Sequence, residues 1–197
     1  MTLYYLLEEN YCCLECEKYI LNDQGIAFDE QDLLDDAVNN GWQKRDGTAL
    51  HNIGRHLESK GLVVKRRYKC NIDDITRALE NREHIIAAVD GGELIGDKVA
   101  EALEDILIGE IPDHTVVVLA CDKEKKRVTI FDPNSPNKED IYSIEQFVDA
   151  WNDSKNYLVN GKQLSPKSNG ADDKHWGRVE ISNAKDVDTV SFLNVIT

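Results

Sequence analysis

Apolar residues recur at helical spacing in four stretches between residues 12 and 83 and again over 143–154, and this pattern predicts amphipathic helices. Some of these stretches begin at a residue that favours a helix N-cap, such as Thr48 or Ser143, and several end at a glycine, such as Gly25 or Gly61. The predicted helices cover residues 12–23, 29–40, 48–60, 71–83 and 143–154. Between them, residues 93–112 combine a helical pattern with flanking glycines, and we interpret them as an insertion.

Short apolar runs in the middle of the chain predict β-strands. Two runs, 114–122 and 127–132, are separated by four polar residues and predict a hairpin. A weaker run at 156–159 is interpreted as an edge strand. Because helices come first and strands follow, the predicted fold class is α+β, with an N-terminal helical layer packed on a central antiparallel sheet. The other predicted strands are 62–70, 85–90 and 190–196.

Composition and charge indicate a soluble globular protein. The 197 residues suffice for a domain with a hydrophobic core, which we expect over 1–160, and the polar residues 161–197 are expected to form an extension packed on the same domain. A formal net charge of −14 argues against binding to nucleic acid or to anionic membranes. The chain has no apolar run of about 18 residues and no signal-peptide pattern at its start. We therefore expect a cytoplasmic protein, while export without a leader stays open.

Three cysteines cluster at the predicted start of the first helix. Cys12 and Cys13 lie in its first turn, and Cys16 lies one turn further on. The dipole at a helix N-terminus lowers the pKa of a thiol and so favours the thiolate, which is the nucleophilic form. A thiol at this position is therefore a candidate nucleophile.

A catalytic thiol needs a base and a group that orients the base, and the predicted hairpin supplies both. His114 begins one strand and Asp132 ends the other. If 116–120 pairs with 128–131, the two side chains lie at the same end of adjacent strands. Asp132 could then accept the imidazole N–H and determine the tautomer of His114.

The order of Cys12 on the first helix, His114 before a strand and Asp132 in "FDPNSP" resembles the papain-like superfamily. The segments "NYCCLECEKYIL", "GWQKRDGT", "IIAAVDGGEL" and "PDHTVVVLACD" are similar to those of its bacteriocin-leader-peptidase-like group, peptidase family C39 and its relatives, over roughly residues 5–160. The resemblance implies a bacterial cysteine peptidase that cleaves a peptide or amide bond with a Cys12–His114–Asp132 triad and without a cofactor. The family's spacing places the nucleophile on Cys12 rather than on Cys13.

The sequence departs from the family pattern in the residues that would bind the oxyanion. The family usually carries a glutamine a few residues before the cysteine, and its amide binds the oxyanion of the tetrahedral intermediate. Here Glu8 or Glu9 stands near that position, and a carboxylate repels an oxyanion. Asn10 could supply an amide donor together with the backbone N–H of Cys12. The candidate oxyanion residues are therefore Asn10 and Glu8.

This departure leaves other functions open beside hydrolysis. A weakly active or inactive papain-like domain could serve as a binding, immunity or effector-partner module. A glutamine deamidase or an acyl transferase could use the same triad on a side-chain amide. The expected partner is a peptide or protein substrate, and the sequence does not indicate an oligomeric state.

The other cysteines and histidines carry weaker patterns. A zinc site is disfavoured because the CCxxC stretch lacks a second pair of ligands, so no metal is expected. His51 and His56 lie among polar residues of a predicted helix and are expected to be surface or capping residues. Asp90 ends a strand and is interpreted either as a cleft acid or as a turn residue. The cysteines expected in the core are Cys13, Cys16, Cys70 and Cys121.

Overall fold

The helices largely follow the hydrophobic pattern. The computed structural model describes residues 11–44, 47–95, 112–135 and 137–163. Its α-helices are α1 (Cys12–Asp23), α2 (Glu30–Asn39), α3 (Arg55–Ser59), α4 (Ile72–Glu80), α5 (Gly91–Ile95) and α6 (Ile144–Asn152). Asp29, Asn71 and Ser143 cap α2, α4 and α6 with side-chain oxygens that accept backbone N–H groups. Four of the five helix predictions are thus confirmed.

A six-stranded antiparallel sheet forms the centre of the fold and confirms the α+β prediction. Its strands are β3 (Leu62–Arg67), β4 (His84–Val89), β5 (His114–Asp122), β6 (Arg127–Phe131), β7 (Glu139–Ser143) and β8 (Leu158–Gln163). They lie in the order β3-β8-β4-β5-β6-β7. A two-stranded ribbon of β1 (Gln43–Lys44) and β2 (Gly47–Thr48) lies outside this sheet.

Strand β8 corrects the prediction of an edge strand at 156–159. It is inserted between β3 and β4, and Leu158 to Gly161 pair with both neighbours. Leu158 to Gly161 are all buried, which the short apolar run "YLV" did not reveal because polar Asn160 follows it. The true edges are β3 and β7. Strand β7 was not predicted because its side chains are largely exposed, and Ile141 is 63% exposed.

Two hydrophobic cores cover the two faces of the sheet. On one face, α1, α2 and residues 50–57 pack on side chains that include Ile86 and Val117. On the other face, α4 and α6 pack on side chains that include Ile85 and Val116. This second helical layer adds to the predicted N-terminal layer. It explains why β4 is a continuous apolar run, because the strand is buried on both sides.

The helix predicted over 48–60 is broken in two. Leu50–Asn52 form a 3₁₀ turn, and α3 starts only at Arg55. Between them Gly54 has a φ of 89°, a left-handed conformation that interrupts the helix. Thr48, expected as the N-cap, instead lies in β2, where its hydroxyl donates to the side-chain oxygen of Gln43 at 2.6 Å. Tertiary contacts of Gly54 therefore override the helical spacing.

Replacing Gly54 by alanine is expected to lower the free energy of unfolding by about 2–4 kcal/mol. The added Cβ would lie 2.9 Å from Val64 Cγ1 and 3.0 Å from Val159 Cγ1, in addition to the strain of the left-handed backbone. Gly61→Ala is the matched control, because Gly61 has the same φ of 89° with nothing within 4 Å of its added Cβ. It should cost about 1–2 kcal/mol. Urea unfolding measures both, and equal losses would show that packing at Gly54 is not tight.

Parts of the predictions fall outside the described residues. Strand β8 runs to Gln163, past the expected boundary at residue 160. The rest of the C-terminal extension, with its predicted strand at 190–196, lies outside the described residues, so its packing on the domain stays a prediction. Of the interpreted insertion, 96–111 lies outside as well. No helix in the described part of the chain has the length and apolar character needed to span a membrane.

Candidate active site

Helix α1 carries Cys12 at its N-terminal end. Cys12 is the first residue of the helix and is partly exposed, whereas Cys13 and Cys16 are 2% and 0% exposed. The side chain of the preceding residue, Tyr11, makes no capping hydrogen bond to the helix. Because Cys12 is the first residue of α1, the positive end of the helix dipole acts on its thiol.

The β5–β6 hairpin brings His114 and Asp132 together. His114 is the first residue of β5, and Asp132 directly follows β6. The observed register pairs Val117 with Phe131, so the start of one strand and the end of the other lie side by side, as predicted. His114 Nε2 and Asp132 Oδ1 are 2.8 Å apart, and both side chains are buried. The same carboxylate oxygen accepts the N–H of Asn134 at 2.8 Å, which holds it in place.

The Cys12 thiol lies within hydrogen-bonding reach of His114. Burial raises the pKa of the Cys12 thiol, but the hydrogen bond and the charge of His114, together with hydrogen bonds to Thr115, outweigh this effect and lower the pKa below its usual value. Burial alone would lower the pKa of His114, yet hydrogen bonds to Asp132 and Cys12 raise it to about 9. Burial likewise opposes ionisation of Asp132, while its hydrogen bond to His114 lowers the pKa of the carboxyl.

All three shifts favour the ionised forms, which are the thiolate of Cys12, the imidazolium of His114 and the carboxylate of Asp132. Because Nε2 faces Asp132, Nδ1 is the ring nitrogen left to act on the sulfur. The arrangement can present a nucleophilic thiolate to a carbonyl carbon and a proton to a leaving group. The structure thus brings the three candidate catalytic residues together, with His114 hydrogen-bonded to Asp132 and close enough to Cys12 to lower the pKa of its thiol.

The oxyanion candidates lie outside the described residues. Asn10, Glu8 and Glu9 precede Tyr11, where the described part of the chain begins. Their roles stay predictions. The backbone N–H of Cys12 belongs to the first turn of α1, where N–H groups have no acceptor within the helix.

Of the histidines outside the site, His56 has an environment different from the one expected. His56 was expected at the surface, but it is 3% exposed and meets Trp42 edge-on, with ring centroids 5.1 Å apart. The break at Gly54 turns this residue inward, which the helical pattern could not indicate. His51 is exposed, as expected. His84 lies 3.6 Å from the Asp23 carboxylate at the far end of α1.

Asp90 and the other cysteines have structural environments. Asp90 accepts the N–H of Glu93 at 2.8 Å at the start of α5, which supports the turn interpretation, whereas a role as a cleft acid stays a prediction. Cys70 is buried as expected, whereas Cys121 is partly exposed near the end of β5. Among the described residues, no group of three or more His, Cys, Asp or Glu side chains could hold a metal ion. The expected lack of a metal and of a cofactor stays a prediction.

Glu17 was missed by the sequence reasoning. It is 1% exposed and lies one turn after Cys13 on α1. A signal was present, because an acidic residue four positions after Cys13 and four before Leu21 occupies the buried face of the predicted helix. Gly91 was also missed as a neighbour of the site. Its N–H donates to Asp113 at 2.9 Å, which places it against His114.

A helical layer with a thiol at a helix N-terminus, packed on an antiparallel sheet that carries the imidazole, is the arrangement of the papain-like class. The model of the Peptidase_C39 like family matches residues 2–159, and the chain belongs to this family. A similar solved structure is that of a candidate C39-like peptidase from Bacillus anthracis, with 13% sequence identity and a TM-score of 0.43. The match covers 59% of this chain and 58% of that one. Comparison with curated proteins gives no significant match.

Proposed function

We propose that the protein is a cysteine hydrolase that cleaves a peptide or amide bond with Cys12, His114 and Asp132. The observation that carries the proposal is the grouping of these three side chains, in which His114 is hydrogen-bonded to Asp132 and lies close to Cys12, with the pKa of Cys12 lowered and that of His114 raised to about 9. Membership of a family of peptidases supports it.

In the proposed reaction, the Cys12 thiolate attacks the carbonyl carbon of the scissile bond. The carbonyl oxygen becomes an oxyanion that the backbone N–H of Cys12 stabilises, with a side chain from residues 8–10 as second donor. His114 donates its proton to the leaving amine, and a thioester to Cys12 remains. Water then attacks the thioester while His114 takes up a proton from it, which releases the acid and restores the thiolate–imidazolium pair. Asp132 holds the imidazole in position throughout.

Alkylation by iodoacetamide tests the proposal on the wild-type protein. We expect Cys12 to be labelled at pH 6 at least about 100-fold faster than Cys121, because only the thiolate reacts. Cys121 is the internal control, since it is also partly exposed but burial raises its pKa. Peptide mass spectrometry after labelling measures both sites. Equal labelling of the two cysteines, appearing only above pH 8, would contradict the proposed thiolate.

Replacing Asp132 by alanine is expected to slow peptide hydrolysis by about 10²–10⁴-fold, because His114 loses the acceptor that orients it. The assay is cleavage of a proteome-derived peptide library, followed by mass spectrometry on the peptide that the wild type cleaves fastest. Asp132→Asn keeps an oxygen that can accept from Nε2, so it should retain more activity than the alanine variant. If Asp132→Ala hydrolyses as fast as wild type, another group orients His114.

The proposed substrate is an amide bond in a peptide or protein. A deamidase or an acyl transferase would label in the same way and would differ only in its products. A binding module without activity would show ordinary thiol reactivity at Cys12. The labelling and library experiments therefore separate the three functions.

A further inference from the structure

Glu17 is a buried carboxylate that the proposed mechanism does not use. Its Oε1 accepts the N–H of Gly54 at 2.8 Å and the thiol of Cys13 at 3.2 Å. Its Oε2 accepts the N–H of His56 at 2.8 Å. No ion pair among the described residues includes Glu17. The negative charge is therefore held by backbone dipoles at the break before α3 rather than by a cation.

The contacts of Glu17 are relevant to the rotation of α1 about its own axis. Neighbouring residues on a helix point about 100° apart, so Cys12 and Cys13 face different elements. One turn later, each face carries a further polar residue: Cys16 follows Cys12, and Glu17 follows Cys13. Cys16, on the face of Cys12, donates its thiol to the backbone oxygen of Thr115 at 3.3 Å. Glu17, on the face of Cys13, binds the segment around Gly54.

We propose that Glu17 is a positioning residue that fixes the rotation of α1 and thereby determines that Cys12, and not the adjacent Cys13, meets His114. This inference rests on the proposed function. A rotation that carried Cys13 toward His114 would pull the carboxylate away from the N–H groups of Gly54 and His56. It would leave a charge and two donors unpaired in the protein interior.

The same carboxylate keeps the two adjacent thiols chemically distinct. Burial and the charge of Glu17 raise the pKa of Cys13 well above its usual value. His114 has the opposite effect on Cys12. Gly54 contributes to this distinction, because its left-handed backbone ends the 3₁₀ turn. Its N–H is not used within that turn and donates to Glu17.

Glu17→Gln tests the proposal, with Glu15→Gln as the matched control. Glu15 lies on the same helix and pairs with Lys18 at its surface. Burial raises the pKa of Glu17 to about 7, so labelling with iodoacetamide is compared at pH 8, where the carboxylate is ionised. The amide of glutamine would oppose a backbone N–H donor. We expect the ratio of Cys13 to Cys12 labelling to rise by at least about tenfold in Glu17→Gln and to stay unchanged in Glu15→Gln.

The outcomes separate this inference from the proposed function. If wild-type Cys12 is not labelled at pH 6, the proposed function fails and the inference with it. If wild-type Cys12 is labelled, but folded Glu17→Gln keeps the wild-type ratio and the wild-type pH profile of Cys12, Glu17 is purely structural and the inference alone is overturned.

A second variant decides the matter if Glu17→Gln does not fold, as judged by circular dichroism. Cys12→Ala keeps Glu17 in place and removes the competing thiol. We expect Cys13 in this variant to label at pH 8, where Glu17 is ionised, as slowly as buried Cys70. Labelling of Cys13 at the rate of wild-type Cys12 would show that Cys13 can reach His114 despite Glu17, and would overturn the inference.

Discussion

Replacing His114 by alanine is expected to slow the alkylation of Cys12 at pH 6 by roughly 100- to 1,000-fold. Without the imidazolium, the thiol loses the largest effect that offsets its burial, and only the hydrogen bonds to Thr115 and the helix dipole remain. A thiol with an ordinary pKa of about 8.5 is only about 0.3% ionised at pH 6, and iodoacetamide reacts with the thiolate. The measurement is the second-order rate constant of labelling at Cys12, followed by peptide mass spectrometry from pH 5 to pH 9.

His51→Ala is the control for this experiment. His51 is exposed in the 3₁₀ turn, away from the site, so its loss should leave the rate constant unchanged. The rates of the wild type and His114→Ala should approach each other as the pH rises toward 9, because the thiol of the variant then becomes increasingly ionised. A His114→Ala rate at pH 6 within twofold of wild type would mean that the helix dipole and the hydrogen bonds to Thr115 suffice to activate Cys12.

Replacing Cys12 by alanine is expected to reduce peptide hydrolysis by about 10⁴-fold or more, because no acyl-enzyme can form. The neighbouring Cys13→Ala is the matched control. It removes a buried thiol that donates to Glu17, and it should retain most of the hydrolysis while lowering the free energy of unfolding. Cleavage of the peptide library measures activity, and urea unfolding measures stability.

The pH dependence of hydrolysis gives an independent check on the same pair. The pKa of His114 is raised to about 9, so the imidazolium that protonates the leaving amine persists through neutral pH and is lost as the pH rises through about 9. Hydrolysis should fall over this range, whereas alkylation of the Cys12 thiolate should not.

If Cys13→Ala, and not Cys12→Ala, abolishes hydrolysis, the assignment of the nucleophile is reversed.

The positions of the site residues follow from how the fold joins its two layers. Helix α1 packs on β5, so the N-terminal turn of the helix and the first residue of the strand meet at one edge. Asp132 directly follows β6, and its carboxylate accepts the N–H of Asn134 in the turn after that strand. Each candidate side chain is thus held by regular backbone structure, which limits the entropy lost in assembling the site.

The candidate triad could be predicted from local sequence because each member lies at the end of a strongly patterned element. The glycine after α1, the hairpin turn at 123–126 and the apolar run of β5 place Cys12, His114 and Asp132 at element ends. Antiparallel pairing of consecutive strands then requires His114 and Asp132 to be neighbours. The fold class follows from the same patterns.

Other features were decided by contacts between residues distant in the sequence. Strand β8 lies in the middle of the sheet because it pairs with β3 and β4, which local hydrophobicity does not encode. The helical pattern of residues 48–60 is broken at Gly54, where Val64 and Val159 leave no room for a side chain and Glu17 binds the N–H. His56 is buried as a consequence. Local spacing determines which elements form, whereas packing and the pairing of buried polar groups determine how those elements are joined and which way α1 faces.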